Sequence, residues 1–192
     1  MIFNGEEYTI QFWQGESLGN ILAIDTETTI APFTETPDLV TFQVFDGESL
    51  YYVDRSLVGD FLKKHVTRTL VFANAPFDID VLRKFTEDKY LLKEQIERDK
   101  TFDINIMYRL YHLATGGNVP RKYSLATICK EFLGNDLDIN EEVRCNFAEY
   151  KDVPLQEIPK VFLEYGAADV IATYYCFIRL RLEISKLNTN TN

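Results

Sequence analysis

Two carboxylates, Asp25 and Glu27, stand one residue apart at the end of the apolar run Ile21-Leu22-Ala23-Ile24. In a strand, residues i and i+2 share a face, so both acids project into the same space. Two adjacent anions repel unless a cation lies between them, and oxygen-only ligands suit Mg²⁺ or Mn²⁺ rather than zinc. Such a pair alone is common on solvated strands, so its meaning depends on what else converges there. Asn74-Ala-Pro-Phe-Asp78 follows the run Thr69 to Ala73 directly. Asn74 can serve as a helix cap at that junction, whereas Asp78 falls inside the helix and needs another explanation. Tyr165-Gly-Ala-Ala-Asp169 places a phenol and a carboxylate at i and i+4, on one helix face. Gly166, Ala167 and Ala168 keep that helix slim enough to approach a sheet. By itself this third segment reads as a core tyrosine beside a surface aspartate.

These side chains need a scaffold, and the hydrophobic pattern describes one. Tyr8 to Trp13 favours a strand after an Asn4-Gly5 turn, and Ile21 to Ile24 follows a Gly19-Asn20 turn. Leu39 to Phe45 alternates, with Val40, Phe42 and Val44 on one side and Thr41 and Gln43 on the other. Asp46-Gly47 then predicts a hairpin into Leu50 to Val53, and these segments are expected to be consecutive strands of one sheet. The period changes after that. Ser56 to His65 predicts a helix, Thr69 to Ala73 a buried strand, and Phe77 to about Phe85 a helix. A short strand at Thr101 to Asp103 precedes an apolar helix from Ile104 to Leu113, ended by a Gly116-Gly117 and Pro120 loop. Leu125, Ile128, Cys129, Phe132 and Leu133 form a 3.6-residue stripe closed by Gly134. Asn135 to Pro154 is acidic and irregular, expected as a surface connection with short helical pieces. Gln156 to Lys186 is the longest helical segment, continuous or broken in two. Residues 1–187 are expected to form a single α/β domain with a mixed sheet, and 188–192 a disordered tail.

Composition narrows the function. The 192 residues are 46% hydrophobic and 26% charged, with fourteen Phe and eleven Tyr, enough to bury a sizeable core. A net charge of −10 argues against a broad basic face for nucleic acid. It leaves open an enzyme that meets phosphate through bound cations. Cys129, Cys145 and Cys176 are odd in number and widely spaced, which predicts a reducing, cytoplasmic setting and neither a disulfide framework nor a zinc site. His65 and His112 leave little scope for histidine chemistry; His112 is expected to be packed and His65 to lie at the surface near Lys63 and Lys64. No secretory pattern opens the chain. No apolar run approaches the roughly 20 residues of a bilayer span, so no membrane contact is expected.

The three acidic segments occur in one order on suitable elements. Over residues 20–185 the chain resembles the DEDD, or DnaQ-like, superfamily of 3′–5′ exonucleases. Its signatures are similar to Asp25-Thr-Glu27, Asn74-Ala-Pro-Phe-Asp78 and Tyr165-x-x-x-Asp169. One branch carries His five residues before the last acid, where this chain has Glu164. Tyr165 matches the tyrosine (DEDDy) branch, which includes proofreading domains of family A DNA polymerases and ribonuclease D-like enzymes. Tyr123 to Gly134 also resembles the helix that precedes the third motif in those proteins.

That resemblance implies an RNase H-like fold, a mixed sheet flanked by helices. It implies a metal-dependent exonuclease releasing nucleoside monophosphates from a single-stranded 3′ end, DNA ahead of RNA. Two Mg²⁺ or Mn²⁺ ions would flank the scissile phosphate. Asp25 would approach both, Glu27 and Asp169 the ion on the nucleophile's side, and Asp78 the other through water. Tyr165 would orient the attacking water, its phenol being a poor base at neutral pH. Four of the ten excess negative charges would then face the ions. Thr26, Asn74, Arg121, Lys122 and Tyr123 are the candidate strand contacts, aided by stacking on aromatics, although the last three read equally well as a solvated loop. Asp103 is expected to be structural, as a helix cap. The alternatives are a proofreading subunit working with a separate polymerase, and an inactive RNase H-like binding module, which the intact acids disfavour.

Overall fold

Alternation along the strands sends apolar side chains to both faces of a sheet, and each face then needs a helical cover. The computed structural model of the protein describes residues 1–192 except 33, 87–89, 138–139 and 190–192, with backbone alone for 141, 188 and 189. β1 (Ile2–Phe3) and β2 (Glu6–Glu7) make a small antiparallel hairpin. Its turn residues Asn4 and Gly5 both have positive φ, as a tight two-residue hairpin requires. The main sheet contains β3 (Ile10–Phe12), β4 (Ile21–Thr28), β5 (Leu39–Phe45), β6 (Leu50–Tyr52), β7 (Thr69–Phe72) and β8 (Thr101–Asp103). Their order is β3-β6-β5-β4-β7-β8. β4, β7 and β8 run parallel, and β5 is antiparallel to both β4 and β6. The N-terminal strands share one sheet as expected, but β3 joins its edge in parallel with β6.

Leu22, Ile24, Phe42, Val44, Leu70 and Phe72 pack on one face beneath α1 (Val58–Lys64), α2 (Ala75–Leu82) and α3 (Leu91–Glu97). The third of these helices has no counterpart in the sequence-based reading. On the opposite face, Ala23, Phe45, Tyr52 and Val71 pack against α4 (Ile104–Gly116), α5 (Leu125–Leu133), α6 (Glu141–Asn146) and α7 (Lys160–Thr189). Ser124 caps α5, and Gly117 and Gly134 end α4 and α5 in the left-handed conformation.

Several expectations are corrected. Glu27 pairs with Thr41 but Thr28 with Leu39, so Val40 is the extra residue of a β-bulge. It turns to the α7 face, away from Phe42 and Val44, and the strict alternation breaks there. The segment 135–154 is more than a surface connection, because Val143 and Phe147 are buried in the core; 138–139 lie outside the described residues. Gln156 belongs to a separate 3₁₀ turn, Leu155–Glu157, and α7 is continuous from Lys160. It extends through Thr189, two residues into the expected tail, and 190–192 are outside the described residues. Contrary to the reading that no apolar run approaches a bilayer span, α7 reaches that length and composition, with a mean hydropathy of 1.3 in its most apolar window. The reason is burial within the protein: Ala167, Val170, Ile171, Cys176, Phe177 and Leu180 are enclosed between the sheet and its neighbouring helices.

His65 is not at the surface. It is 1% exposed beneath Trp13 and Phe61. Nε2 accepts from the Leu18 N–H at 3.1 Å, so Nδ1 carries the proton and donates to the Phe61 carbonyl at 2.8 Å. That is the neutral imidazole, and burial pushes its pKa down. His112 packs edge-on against Tyr108, as expected for a packed histidine.

Asp103 joins two helices to one strand end. Its Oδ2 accepts from the Ala75 N–H at 2.9 Å, and its Oδ1 from the Asn105 N–H at 2.8 Å. Each cap is worth about 1 kcal/mol. Asp103→Ala is therefore expected to lower stability by about 2 kcal/mol, seen as a lower urea midpoint at unchanged slope. A midpoint equal to wild type would show that neither cap matters.

Candidate active site

Parallel strands deliver their carboxyl ends to one edge of a sheet, where α/β proteins assemble their sites. β4 turns Ala23, Asp25 and Glu27 toward α7, and Ile24 and Thr26 toward α2. The antiparallel register sets Gln43 opposite Asp25 and Thr41 opposite Glu27. All of β5 is buried, so its polar face is enclosed beside the acids and not solvated. Gln43 Nε2 donates to Asp25 Oδ2 at 2.6 Å, while its Oε1 accepts from the Thr41 hydroxyl at 3.0 Å.

α7 brings Asp169 to the same place. One carboxylate oxygen from each of Asp25, Glu27 and Asp169 lies within 4.8 Å of the others. Gly166 permits the approach: a Cβ there would lie 2.6 Å from Gln43 Nε2 and 3.0 Å from the Tyr52 hydroxyl. Tyr52 in turn donates to the Leu163 carbonyl, tying β6 to the helix. Asp169, which the third segment alone suggested was a surface residue, faces the other two acids. Tyr165 is half-buried and packs against Phe147 with ring centroids 6.0 Å apart.

Asp78 reaches β4 from the other side. It is 3% exposed, and its Oδ1 accepts from both the backbone N–H and the hydroxyl of Thr26, at 3.0 and 2.7 Å. Asp78 thus lies outside the close triad but lines the same cleft of about 540 Å³. Thr26, expected as a strand contact, lines the cleft, and its hydroxyl donates to Asp78. Asn74 lines the cleft at φ 98° and makes no side-chain cap; Asp103 caps that helix instead. Arg121, Lys122 and Tyr123 do not line the cleft, although Ser124 and Leu125 do. Tyr123 instead lies under the Arg109 guanidinium, 4.9 Å from its ring centre.

The sequence-based reading missed Gln43 behind Asp25, and Arg144, Cys145 and the exposed apolar side chain of Ile30 on the cleft lining. Polar residues at alternate positions of an apolar strand were a usable signal for Gln43. Nothing in the sequence sets Arg144 apart from other cations of its acidic segment.

Crowded carboxylates in a partly enclosed site hold protons. Burial pushes the Asp25 carboxyl up to about 6, against the pull of Gln43. Glu27 is raised well above the ordinary range by burial and then by Asp25 and Asp169. Asp169 and Asp78 are raised by burial and then by Asp25. Arg144 works in the opposite sense on Asp25, Glu27 and Asp169. The Tyr165 phenol is pushed up by burial and by Asp169, so at neutral pH it is a donor and not a base. An anionic oxygen cluster that resists its own ionisation fits a divalent cation, which supplies the missing charge.

Two acids at the end of β4 meet a third from α7, with a phenol alongside and helices on both faces of a mixed sheet, an arrangement suited to a metal-dependent hydrolase of the RNase H-like fold. Residues 6–185 match the sequence profile of the family described as 3′–5′ exonuclease, and the chain belongs to that family. It is a hydrolytic exonuclease, of a family that uses divalent metal ions. The Aedes aegypti Nibbler EXO domain is 14% identical at a TM-score of 0.66, the match covering 91% of this chain and 87% of that one. Brucella melitensis NrnC is 19% identical at 0.66, covering 93% and 82%. Escherichia coli RNase D is 21% identical at 0.62, covering 88% of this chain but 40% of its own longer one. At these identities the likeness is one of fold. Comparison with curated proteins gives no match.

Two outcomes test the site. A carboxyl whose folded pKa exceeds its unfolded value near 3.8 supports the fold fully below that pH, and the support is lost as pH rises through about 6. Mn²⁺ competes with those protons, so it is expected to raise Tm far more at pH 7.5 than at pH 5. An equal rise at both would contradict the shifted carboxyl. Gly166→Ala gains helix propensity of about 1 kcal/mol but overpacks against Gln43, at about 1–3 kcal/mol. Calorimetry should find weaker Mn²⁺ binding in this variant; unchanged binding would free Gly166 from any part in the approach.

Proposed function

We propose that the protein removes nucleotides stepwise from the 3′ end of single-stranded nucleic acid, using two divalent ions, Mg²⁺ or Mn²⁺. The observation that carries this reading is the convergence of Asp25, Glu27 and Asp169 within 4.8 Å, at the end of β4 and beside Tyr165. Divalent ions bound there supply Lewis-acid activation and neutralise charge on the phosphate. Asp25, Glu27 and Asp169 would hold them, and Asp78 would assist with the oxygen that Thr26 leaves free. Gln43 fixes the Asp25 carboxylate from behind. Tyr165, kept protonated, directs its O–H at the attacking water. Ile30 and Phe77 expose apolar surface on the cleft wall, where terminal bases can stack.

Two Trypanosoma brucei structures with this fold are of RNase D, one of them in complex with RNA U12. These names support RNA as a substrate alongside the DNA expected from the sequence. The test uses 5′-labelled single-stranded RNA and DNA oligonucleotides with Mg²⁺ or Mn²⁺. A ladder shortening from the 3′ end is expected, lost on chelation and reduced roughly 10³-fold or more in Asp25→Asn and Asp169→Asn. Tyr165→Phe is expected to lower kcat by about 10–100-fold, the cost of a misplaced nucleophile. Wild-type rates in the aspartate variants, or cleavage starting internally, would refute the assignment.

A further inference from the structure

Among the described residues that line the cleft, one is basic: Arg144 of α6. Its backbone is firmly held. Asn140 caps the helix by accepting from the Val143 N–H at 3.2 Å, and Val143 is buried immediately before it. Three residues later, Phe147 is buried and packs against Tyr165. The segment carrying the guanidinium is therefore referenced to the segment carrying the phenol. The side chain itself is exposed, and among the described residues it has neither a hydrogen bond nor an ion pair within 4 Å. Its charge nevertheless reaches three acids of the cleft.

A charge argument gives this position a task. Two divalent ions offset four carboxylates, leaving the incoming phosphodiester and the charge developing on it without a further counter-ion. Arg121 and Lys122 lie outside the cleft lining. A guanidinium is planar and permanently charged, and its forked donors match two oxygens of one phosphate. We infer that Arg144 contacts the non-bridging oxygens of the substrate's terminal phosphodiester and stabilises the charge that builds on them during hydrolysis. This rests on the exonuclease reading of the same cleft.

Wild type, Arg144→Ala and Arg144→Lys are to be compared on 5′-labelled oligonucleotides, with thermal midpoints and Mn²⁺ affinity measured on the same preparations. Arg144→Ala is expected to lose about 100-fold or more in kcat/KM, by analogy with catalytic arginines on phosphoryl groups. Its Tm should be unchanged and its Mn²⁺ affinity equal or higher, because a cation beside the triad has been removed. Arg144→Lys should recover part of the rate, and added guanidinium should partly rescue Arg144→Ala. A rate within threefold of wild type would overturn the inference, as would a loss that merely follows weakened Mn²⁺ binding. Should wild type degrade no oligonucleotide, the exonuclease reading itself fails. Nucleoside monophosphate binding with Mn²⁺ then decides Arg144 separately: about tenfold weaker binding in Arg144→Ala upholds the contact, and equal binding removes it.

Discussion

Asp25, Glu27 and Asp169 repel one another at short range, and most of the surrounding structure holds them together against that repulsion. Each device acts at a different level. The period of β4 sends two acids to one face. Antiparallel pairing with β5 sets an amide behind Asp25, and the missing side chain at Gly166 lets α7 close on that amide. The bulge at Val40 sits at the same end of the β4–β5 pair, beyond the partners of Asp25 and Glu27. Without a cation the acids hold protons: burial raises all three, and Asp25 raises Glu27 and Asp169 further. Functional sites commonly violate the local rules that the rest of a fold obeys.

The two faces of β4 carry different parts of this arrangement. On the α7 face the acids stay close and available. On the α2 face Asp78 is held by two donors from Thr26, which places one of its oxygens and leaves the other unassigned. Asp103 works from β8, pinning the first turn of α2 and so the turn that carries Asp78. A residue that reads as an ordinary cap is thus part of the chain of contacts leading to the site.

What was legible in the sequence follows the range of the interaction. The four acids and Tyr165 belong to short motifs whose internal spacing defines a face of a strand or helix, while the expectation that the three motifs converge comes from their joint resemblance to the DEDD superfamily. The strands and the main helices were legible from their hydrophobic period. The alternation of β5 marked Gln43 as an unusual polar position, but its role depends on its register against Asp25, which periodicity alone does not specify. Val40 escaped the alternation because a bulge adds one residue and reverses the side-chain direction. His65 looked solvated beside two lysines, yet its ring is required between Leu18 and Phe61. Tyr123 is covered by a cation brought from α4, a contact that adjacency in sequence to Arg121 and Lys122 could not show.

The acidic balance of the chain also takes on a local meaning. A net charge of −10 would oppose nucleic acid if it were spread evenly. Instead, four of the acids are drawn into one cleft where bound cations can offset them, and among the described residues Arg144 adds a guanidinium to its lining. Apolar side chains such as Ile30, 78% exposed, stand on the same wall and offer a surface whose contact with bases would not depend on charge. A grip made this way would extend over a few terminal nucleotides rather than along a duplex. That is the reach required of an enzyme that works from an end.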